Sequence, residues 1–372
     1  MRTPTVHQAD GAFVVTDDGR LLDLVNGFGA VFLGHGAAAV REAVHAQVDK
    51  LWSAGRWPTQ PLGDALEAAA ALLPRGLRMA GLYSTGMEGM EFALRVAARC
   101  TGRPGVVAFA RSMHGKSALT AGLAWPQATM RPSTVQTLPF VDAETPAQVL
   151  ERLAQALSSG DVGAVVVEPM QGSNGGHAVD AAWLAGAQRL CRAHGALLVA
   201  DEILTGLFRT GPAFVTGALE EPPDLLVFGK SMANGLPVSG VALADPLEVP
   251  ASALPGSTFA GNPVVAAAAA ATLRGLAVPR TPRAVEALEA AWRDALAPWA
   301  AGGPTVRSRG ALLLVEWADE PRARAAEAAM LRQGLWMSGS GRWTRLLPSL
   351  ACTPEQLHDA CRRLVRHAAE AC

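Results

Sequence analysis

Residues 197–211, LLVADEILTGLFRTG, and residues 224–235, DLLVFGKSMANG, decide the fold of this chain. Each stretch contains a continuous apolar run that ends close to a charged residue, Asp201 in the first and Lys230 in the second. Such runs are typical of strands that are buried on both faces of a parallel sheet. Because ligands of open α/β sheets bind beside the carboxyl ends of the strands, the two charged residues mark a candidate cofactor site. A structural ion pair at the sheet edge is the alternative interpretation.

Strand and helix patterns alternate through the middle of the chain. They predict an α/β fold with a mostly parallel, doubly wound sheet, which we assign to a large domain over residues 51–275. Residues 1–50 and 276–372 are each mixed in strand and helix, and we expect both chain ends to form one smaller α+β domain.

Local patterns predict individual elements of the sheet. We expect a buried strand over residues 162–167 and a helix over residues 181–194 that ends at Gly195. Residues 120–139 contain three prolines and are predicted to be irregular.

The composition limits the possible partners. The 372-residue chain has a formal net charge of −1 and no basic cluster, unlike a nucleic-acid-binding protein. No apolar stretch approaches the length of a bilayer, and the N-terminus has no apolar signal core. The five cysteines form no CxxC pair, and the eight histidines form no HExxH motif. We therefore predict a cytoplasmic protein with no structural metal, no membrane partner and no nucleic-acid partner.

A candidate anion site follows the predicted strand over residues 79–83. The turn Ser84-Thr85-Gly86 leads there into a helix that begins at Met87. Free N–H groups and the helix dipole attract an anion at such a point, and a phosphate is the natural occupant. Capping of the helix by Ser84 or Thr85 is the alternative interpretation.

Lys230 is the candidate for a covalent bond to a cofactor. A lysine amine condenses with an aldehyde once burial or a nearby cation lowers its pKa. Pyridoxal 5'-phosphate (PLP) carries an aldehyde, a phosphate and a pyridine nitrogen, so it requires a lysine, an anion site and a carboxylate. Lys230, the turn at Gly86 and Asp201 supply these three groups.

Further segments occur in the order and spacing of one known family. They are LLDLVNGFGAVFLGHG (21–36), STGMEGMEFALRVAAR (84–99), MHGKS (113–117), VVVEPMQGSNGG (165–176), GSTFAGNP (256–263) and TRLLPSL (344–350). With the two opening stretches, they resemble the class III aminotransferases of PLP fold type I over nearly the whole chain. The resemblance implies PLP as the cofactor and the transfer of an amino group between an amino acid or amine and a keto or aldehyde acceptor.

The resemblance also implies roles around the cofactor. Lys230 forms the Schiff base and moves the proton during the reaction, while Asp201 pairs with the pyridine nitrogen. The other implied contacts are Ile203 on one ring face, Met113 and His114 in the loop that usually carries a stacking aromatic, Glu168 and Gln171 in a loop lining the site, and Thr85, Gly86 and Met87 at the phosphate. Thr258 reaches the phosphate of the neighbouring subunit, which implies a homodimer.

For the small-molecule substrate, the resemblance implies that Arg345 binds a carboxylate through its guanidinium. Lys116 is a candidate for a second anion contact, and Trp57 lies in the segment that corresponds to the family's active-site loop. The alternatives are a surface position for Arg345 and packing in the core or a dimer interface for Trp57.

The chain departs from the family pattern near the same pocket. Met113 replaces the usual stacking aromatic, and Leu204 replaces a frequent glutamine. Ser173 stands where a glutamate can pair with the carboxylate-binding arginine. These departures leave a second hypothesis open, in which the same fold and cofactor serve a decarboxylase, a racemase or epimerase, an aminomutase, or a biosynthetic replacement or cyclisation enzyme.

Overall fold

The structure is a computed structural model that describes residues 4–55, 57–250, 253 and 256–370. The strands in chain order are β1 (Val6–Asp10), β2 (Phe13–Thr16), β3 (Gly19–Asp23), β4 (Leu77–Tyr83), β5 (Gly105–Phe109), β6 (Val135–Leu138), β7 (Val162–Val167), β8 (Leu197–Glu202), β9 (Leu225–Gly229), β10 (Ser239–Ala244), β11 (Thr305–Arg309), β12 (Leu312–Glu316), β13 (Leu335–Trp336), β14 (Ser338–Ser340) and β15 (Trp343–Leu346). They form sheets in the orders β1-β2-β3-β13, β4-β10-β9-β8-β7-β5-β6 and β11-β12-β15-β14.

The seven-stranded sheet forms the centre of the fold. Its strands β6, β5, β7, β8 and β9 are parallel neighbours, whereas β10 runs antiparallel to both β9 and β4. Every residue of β7, β9 and β10 is buried, as expected for a sheet that is covered on both faces. The prediction of a mostly parallel α/β sheet is confirmed.

Helices connect and cover the strands. In chain order they are α1 (Asn26–Gly29), α2 (Ala38–Val48), α3 (Gln60–Ala70), α4 (Gly86–Thr101), α5 (Ala118–Ala124), α6 (Pro146–Leu157), α7 (Ala181–His194), α8 (Pro263–Leu276), α9 (Arg280–Leu296), α10 (Glu320–Arg332) and α11 (Pro354–Glu370). Local chemistry sets their ends. Asp180 accepts a hydrogen bond from the first turn of α7, and Gly195 ends that helix in the left-handed conformation that glycine tolerates best.

The prediction that residues 120–139 are irregular is wrong. Helix α5 occupies the beginning of this segment, and β6 forms an edge strand of the central sheet. A reciprocal capping box between Ser117 and Thr120 starts the helix. The prolines fall outside both elements, which are too short to show a clear hydrophobic period.

Both ends of the chain contribute to one of the smaller sheets. Strand β13 pairs in parallel with β3, which places Leu335 opposite Leu22. The remaining small sheet consists of C-terminal strands. The domain boundaries at residues 50 and 275 stay a prediction.

Among the residues described, no helix is long and apolar enough to cross a membrane. The same residues contain no group of three or more His, Cys, Asp or Glu side chains placed to hold a metal ion.

Candidate active site

Lys230 stands at the carboxyl end of β9 and begins a short 3-10 turn, Lys230–Ala233. Its φ of +44° lies in the left-handed region, where a non-glycine residue costs about 1–3 kcal/mol and persists only when its surroundings fix it. Ser231 Oγ donates to the Gly29 carbonyl at 3.1 Å, and Leu33 N–H donates to Asn234 Oδ1 at 2.9 Å. The N-terminal segment therefore holds the lysine turn in place.

The surroundings of Lys230 favour its neutral amine. Burial and then the positive charge of Arg345 lower the pKa of Lys230 to about 8, while Asp201 and Glu168 act in the opposite direction. The side chain keeps partial access to solvent. A lysine in this state presents free amine close to neutral pH, as a nucleophile requires.

Asp201 and His114 form a buried pair on the neighbouring strand. Asp201 is 4% exposed and lies inside β8, opposite Val227, rather than beyond the strand as expected. His114 Nδ1 donates to its Oδ2 at 2.7 Å, and Ile203 N–H donates to its Oδ1 at 3.1 Å. Burial disfavours the imidazolium, but the hydrogen bond and charge of Asp201 outweigh it, so the pKa of His114 is raised. Two donors thus fix the carboxylate in one orientation.

Two buried polar side chains join the loops after β5 and β7. Met113 N–H donates to Glu168 Oε1 at 2.6 Å, and Gln171 Nε2 donates to Ser112 Oγ at 3.1 Å. Burial raises the pKa of Glu168 to about 7, and the positive charge of His114 partly opposes this rise. These contacts bring Met113, His114, Glu168 and Gln171 to the sheet edge that carries Asp201.

The turn after β4 offers unpaired backbone donors at the same edge. The strand register aligns Tyr83 of β4 with Gly229 of β9 across the intervening β10. Thr85 Oγ1 caps α4 by accepting from the third N–H of the helix at 3.2 Å. Within the part of the chain that the structure describes, no acceptor binds the N–H groups of Gly86 and Met87. Both are available to an anion at the positive end of the helix.

Glycine at position 86 allows a close contact with Ile203. A Cβ at Gly86 would lie 2.8 Å from Ile203 Cδ1, closer than real Cβ contacts come. The side chain that follows the Asp201 strand therefore packs directly against the anion turn.

Arg345 extends from β15 to the loop after β7. Its Nη1 donates to the Gly172 carbonyl at 3.1 Å and to Ser173 Oγ at 3.3 Å. The guanidinium carbon lies 5.8 Å from the centroid of the Phe28 ring. Burial lowers the pKa of Arg345, and the negative charge of Glu168 partly opposes this. The arginine is thus on the same side of the molecule as Lys230, with which it interacts electrostatically.

Three predicted residues stand apart in the single chain. Lys116 is exposed, and its Nζ lies 5.9 Å from the centroid of the Trp125 ring. Trp57 is 80% exposed, and Thr258 is exposed on the loop before α8. The described contacts connect none of them to Lys230, so their roles stay predictions.

The sequence prediction assigned no role to Arg209, which is fully buried. Its guanidinium donates to the carbonyls of Gly29 at 3.1 Å, Ala311 at 3.2 Å and Pro348 at 2.7 Å. Burial and the neighbouring charge of Arg345 lower the pKa of Arg209 to about 9. Arg209 thereby ties the N-terminal and C-terminal segments to the loop after β8.

Glu202 was also missed, although it is fully buried beside Asp201. It accepts from the N–H groups of Val215 and Thr216, both at 2.8 Å, and from the hydroxyls of Thr216 at 2.7 Å and Thr205 at 3.2 Å. These bonds fix the loop after β8. The available signal for Glu202 was a charged residue directly after Asp201 at the end of a predicted buried strand.

Leu204 and its neighbours explain one departure from the family pattern. Leu204 is buried in an apolar cluster with Met170, Leu312, Leu314 and Leu347. Leu204 therefore packs against apolar neighbours at the position where the family's frequent glutamine would make a polar contact.

A family model described as Aminotransferase class-III matches residues 2–367. The chain belongs to this family. This class-III aminotransferase is 32% identical to a 2-aminoadipate transaminase from Pseudomonas putida over 368 residues, covering 90% of this chain and 88% of the relative. It is 33% identical to an acetylornithine aminotransferase from Mycobacterium leprae over 365 residues, covering 95% of this chain and 89% of the relative.

The fold is shared with a solved class-III structure. The ornithine aminotransferase from Toxoplasma gondii ME49 matches with a TM-score of 0.87 and 26% identity, covering 100% of this chain and 91% of that chain. The predictions of a class-III aminotransferase, of fold type I and of PLP as cofactor are confirmed. The residues fit the cofactor, because a lysine with a lowered pKa, a buried carboxylate and unpaired helix N–H groups share one sheet edge.

Proposed function

We propose that this aminotransferase moves an amino group between a carboxylate-bearing amino compound and a keto or aldehyde acceptor, with Lys230 as the lysine that binds PLP. The observation that carries this assignment is the position of Lys230 at the carboxyl end of β9, one strand away from the buried Asp201–His114 pair. The lowered pKa of Lys230 supports it. When bound, PLP supplies a ring that withdraws electrons from the reacting carbon.

Lys230 acts in two ways in this proposal. When PLP is bound, the neutral amine of Lys230 would hold the cofactor through the aldehyde with water as the leaving group, and the same amine, once the amino donor has displaced it, would remove and return a proton at the reacting carbon. Asp201 would hold the ring nitrogen in its protonated state, while His114 Nδ1–H holds the carboxylate in position. Ile203 and Met113 would contact the two faces of the ring, with Glu168 and Gln171 shaping the loop behind.

The phosphate site requires a second subunit in our proposal. Thr85 and the N–H groups of Gly86 and Met87 bind the phosphate, and Thr258 of the neighbouring copy completes the contact. Exposed apolar surface supports such a homodimer, because Met87 is 37% and Phe259 65% exposed. Phe259 also lines a cavity of about 300 Å³ that reaches Ser84 at the start of the turn.

Arg345 binds the substrate carboxylate, and Lys116 and Trp57 are candidates for the outer part of the substrate site. The arginine can donate to both carboxylate oxygens in a fixed geometry. We place the enzyme in the cytoplasm, which is supported by the free state of the described cysteines Cys100, Cys191, Cys352 and Cys361.

Borohydride reduction tests the assignment of Lys230. The purified protein is incubated with PLP, reduced, digested and analysed by mass spectrometry, with Lys230→Ala as the control. We expect a pyridoxyl adduct on Lys230 and a spectral change of the bound cofactor upon addition of an amino donor. An unmodified Lys230 in protein that has taken up PLP would refute the assignment.

A further inference from the structure

Arg345 differs from Arg307 and Arg342 because no carboxylate of the described residues pairs with it. In the same sheet, Arg307 donates to Glu316 at 2.6 Å, and Arg342 forms an ion pair with the same carboxylate. Across the residues that the structure describes, Arg345 forms no ion pair. Its hydrogen bonds go to a backbone carbonyl at 3.1 Å and to the Ser173 hydroxyl at 3.3 Å.

The charges around Arg345 leave positive charge unbalanced. The cationic side chains of Lys230, Arg209 and Arg345 influence one another electrostatically. Of the carboxylates in this group, Asp201 accepts from His114 Nδ1, and Glu168 accepts from a backbone N–H and acts on Arg345 only through its charge, without an ion pair. A partly buried cation without a counter-ion is costly, and a substrate carboxylate bound to Arg345 would reduce that cost.

Arg345 lies near the reacting end of the site. The Phe28 ring is 5.8 Å from its guanidinium carbon, and the next residue, Gly29, accepts from Ser231 Oγ at 3.1 Å. Ser231 directly follows Lys230. Two adjacent residues, Phe28 and Gly29, therefore lie between Arg345 and the lysine turn, and the charge of Arg345 acts on Lys230.

Position 173 decides whether the protein can neutralise Arg345 by itself. Ser173 reaches the guanidinium but carries no charge. Its loop has little freedom, because a Cβ at Gly172 would lie 2.4 Å from Leu204 Cδ2. A carboxylate at position 173 would therefore lie next to Arg345 and compete with the substrate for it.

We propose that Arg345 and Ser173 form a carboxylate subsite that stays open in both half-reactions, so that donor and acceptor alike carry a carboxylate on the reacting carbon. This inference rests on the proposed function and narrows it to α-amino acids as donors and 2-oxo acids as acceptors. Amines whose reacting carbon is a CH2 group are disfavoured, because Arg345 would stay unpaired beside them.

Matched donors test the inference with the wild-type holoenzyme. L-Glutamate and 4-aminobutyrate differ by the carboxylate on the reacting carbon, as do L-2-aminoadipate and 5-aminopentanoate. Single-turnover spectra measure how fast each donor converts the bound cofactor. Within the pair whose amino acid reacts faster, we expect the donor without that carboxylate to react about 100-fold more slowly than its partner.

Ser173→Glu adds the missing internal carboxylate, and Ser173→Gln is the uncharged control of equal size. We expect Ser173→Glu to reduce the preference for the carboxylate-bearing donor at least tenfold relative to Ser173→Gln. Binding provides a second readout that needs no turnover. Glutarate has carboxylates but no amine, and calorimetry should show its Kd raised about tenfold in Ser173→Glu relative to Ser173→Gln.

The outcomes separate this inference from the proposed function. Equal rates for both members of each pair in wild-type enzyme overturn the open subsite but leave transamination intact. Equal glutarate affinity in the two variants also overturns it. Absence of a Lys230 adduct and of any donor-induced spectral change overturns the proposed function itself. Failure of Ser173→Glu to fold leaves the wild-type donor pairs as the deciding measurement.

Discussion

Replacement of Arg209 tests whether one buried guanidinium holds the site together. Its three hydrogen bonds to the carbonyls of Gly29, Ala311 and Pro348 are 2.7–3.2 Å long. Arg209→Met leaves the carbonyls of Ala311 and Pro348 without a donor, at about 1–3 kcal/mol each, whereas Gly29 keeps its bond from Ser231 Oγ. The removal of a buried charge that lacks a carboxylate partner offsets part of this cost. We therefore expect the free energy of unfolding to fall by about 2–4 kcal/mol.

Arg209→Lys is the matched control, because it keeps the charge and loses the planar fork. A single ammonium cannot serve three diverging carbonyls, so we expect this variant to lose about 1–3 kcal/mol as well. The two variants differ in their effect on Lys230. Arg209 is one of the charges that lower the pKa of Lys230, so the Met variant raises that pKa while the Lys variant leaves it nearly unchanged.

Two measurements on the apoprotein test the expected loss of stability and the expected change in the pKa of Lys230. Guanidinium denaturation at a fixed protein concentration gives the free energy of unfolding, and the pH dependence of PLP capture gives the pKa of Lys230. A free energy of unfolding of Arg209→Met within about 0.5 kcal/mol of the wild-type value would show that the hydrogen bonds of Arg209 contribute little. An unchanged pH midpoint in that variant would refute the electrostatic link to Lys230.

Three further measurements concern the cofactor site. The rate at which the apoprotein captures PLP should rise with pH through a midpoint near 8, because Lys230 reacts as the neutral amine. Stopped-flow absorbance measures this rate, and a midpoint near the ordinary lysine pKa of about 10.4 would contradict the expectation. Gly86→Ala should weaken PLP binding about tenfold, because the new Cβ meets Ile203 Cδ1. If that contact is the cause, titration should show that Gly86→Ala costs much less affinity in an Ile203→Ala background than in the wild type, since Ile203→Ala alone also removes a ring contact. Asp201→Asn should lower the pKa of His114, whose rise depends on the hydrogen bond and charge of Asp201; an NMR titration that finds His114 unchanged would exclude the pair.

The central sheet was largely predictable from local sequence. Strand β7 and helix α7 have the predicted bounds, because a continuous apolar run sets the first and Gly195 ends the second. Short elements near the edge were missed. Helix α5 and strand β6 have seven and four residues and lie among prolines, so neither shows a usable hydrophobic period.

The chemistry of the site was predictable from the sequence, but the residues that hold its segments in place were not. Strand ends predicted that Asp201 and Lys230 are neighbours, since parallel strands bring their carboxyl ends to one edge. Arg209 could not be assigned in the same way, because its partners Gly29 and Pro348 lie 180 and 139 residues away in the chain. Its burial follows from tertiary contacts, and a charged residue near glycines reads as a solvated turn when the sequence is taken alone.

The parallel pairing of β3 with β13 can form only late in the synthesis of the chain. Leu22 leaves the ribosome about 300 residues before Leu335, its partner across the ladder. At about 5–20 residues per second, translation separates the two strands by roughly 15–60 s. During this interval the edge of β3 that later pairs with β13 is open to strands of other molecules. The edge of β3 therefore acquires its partner only after most of the chain has been synthesised.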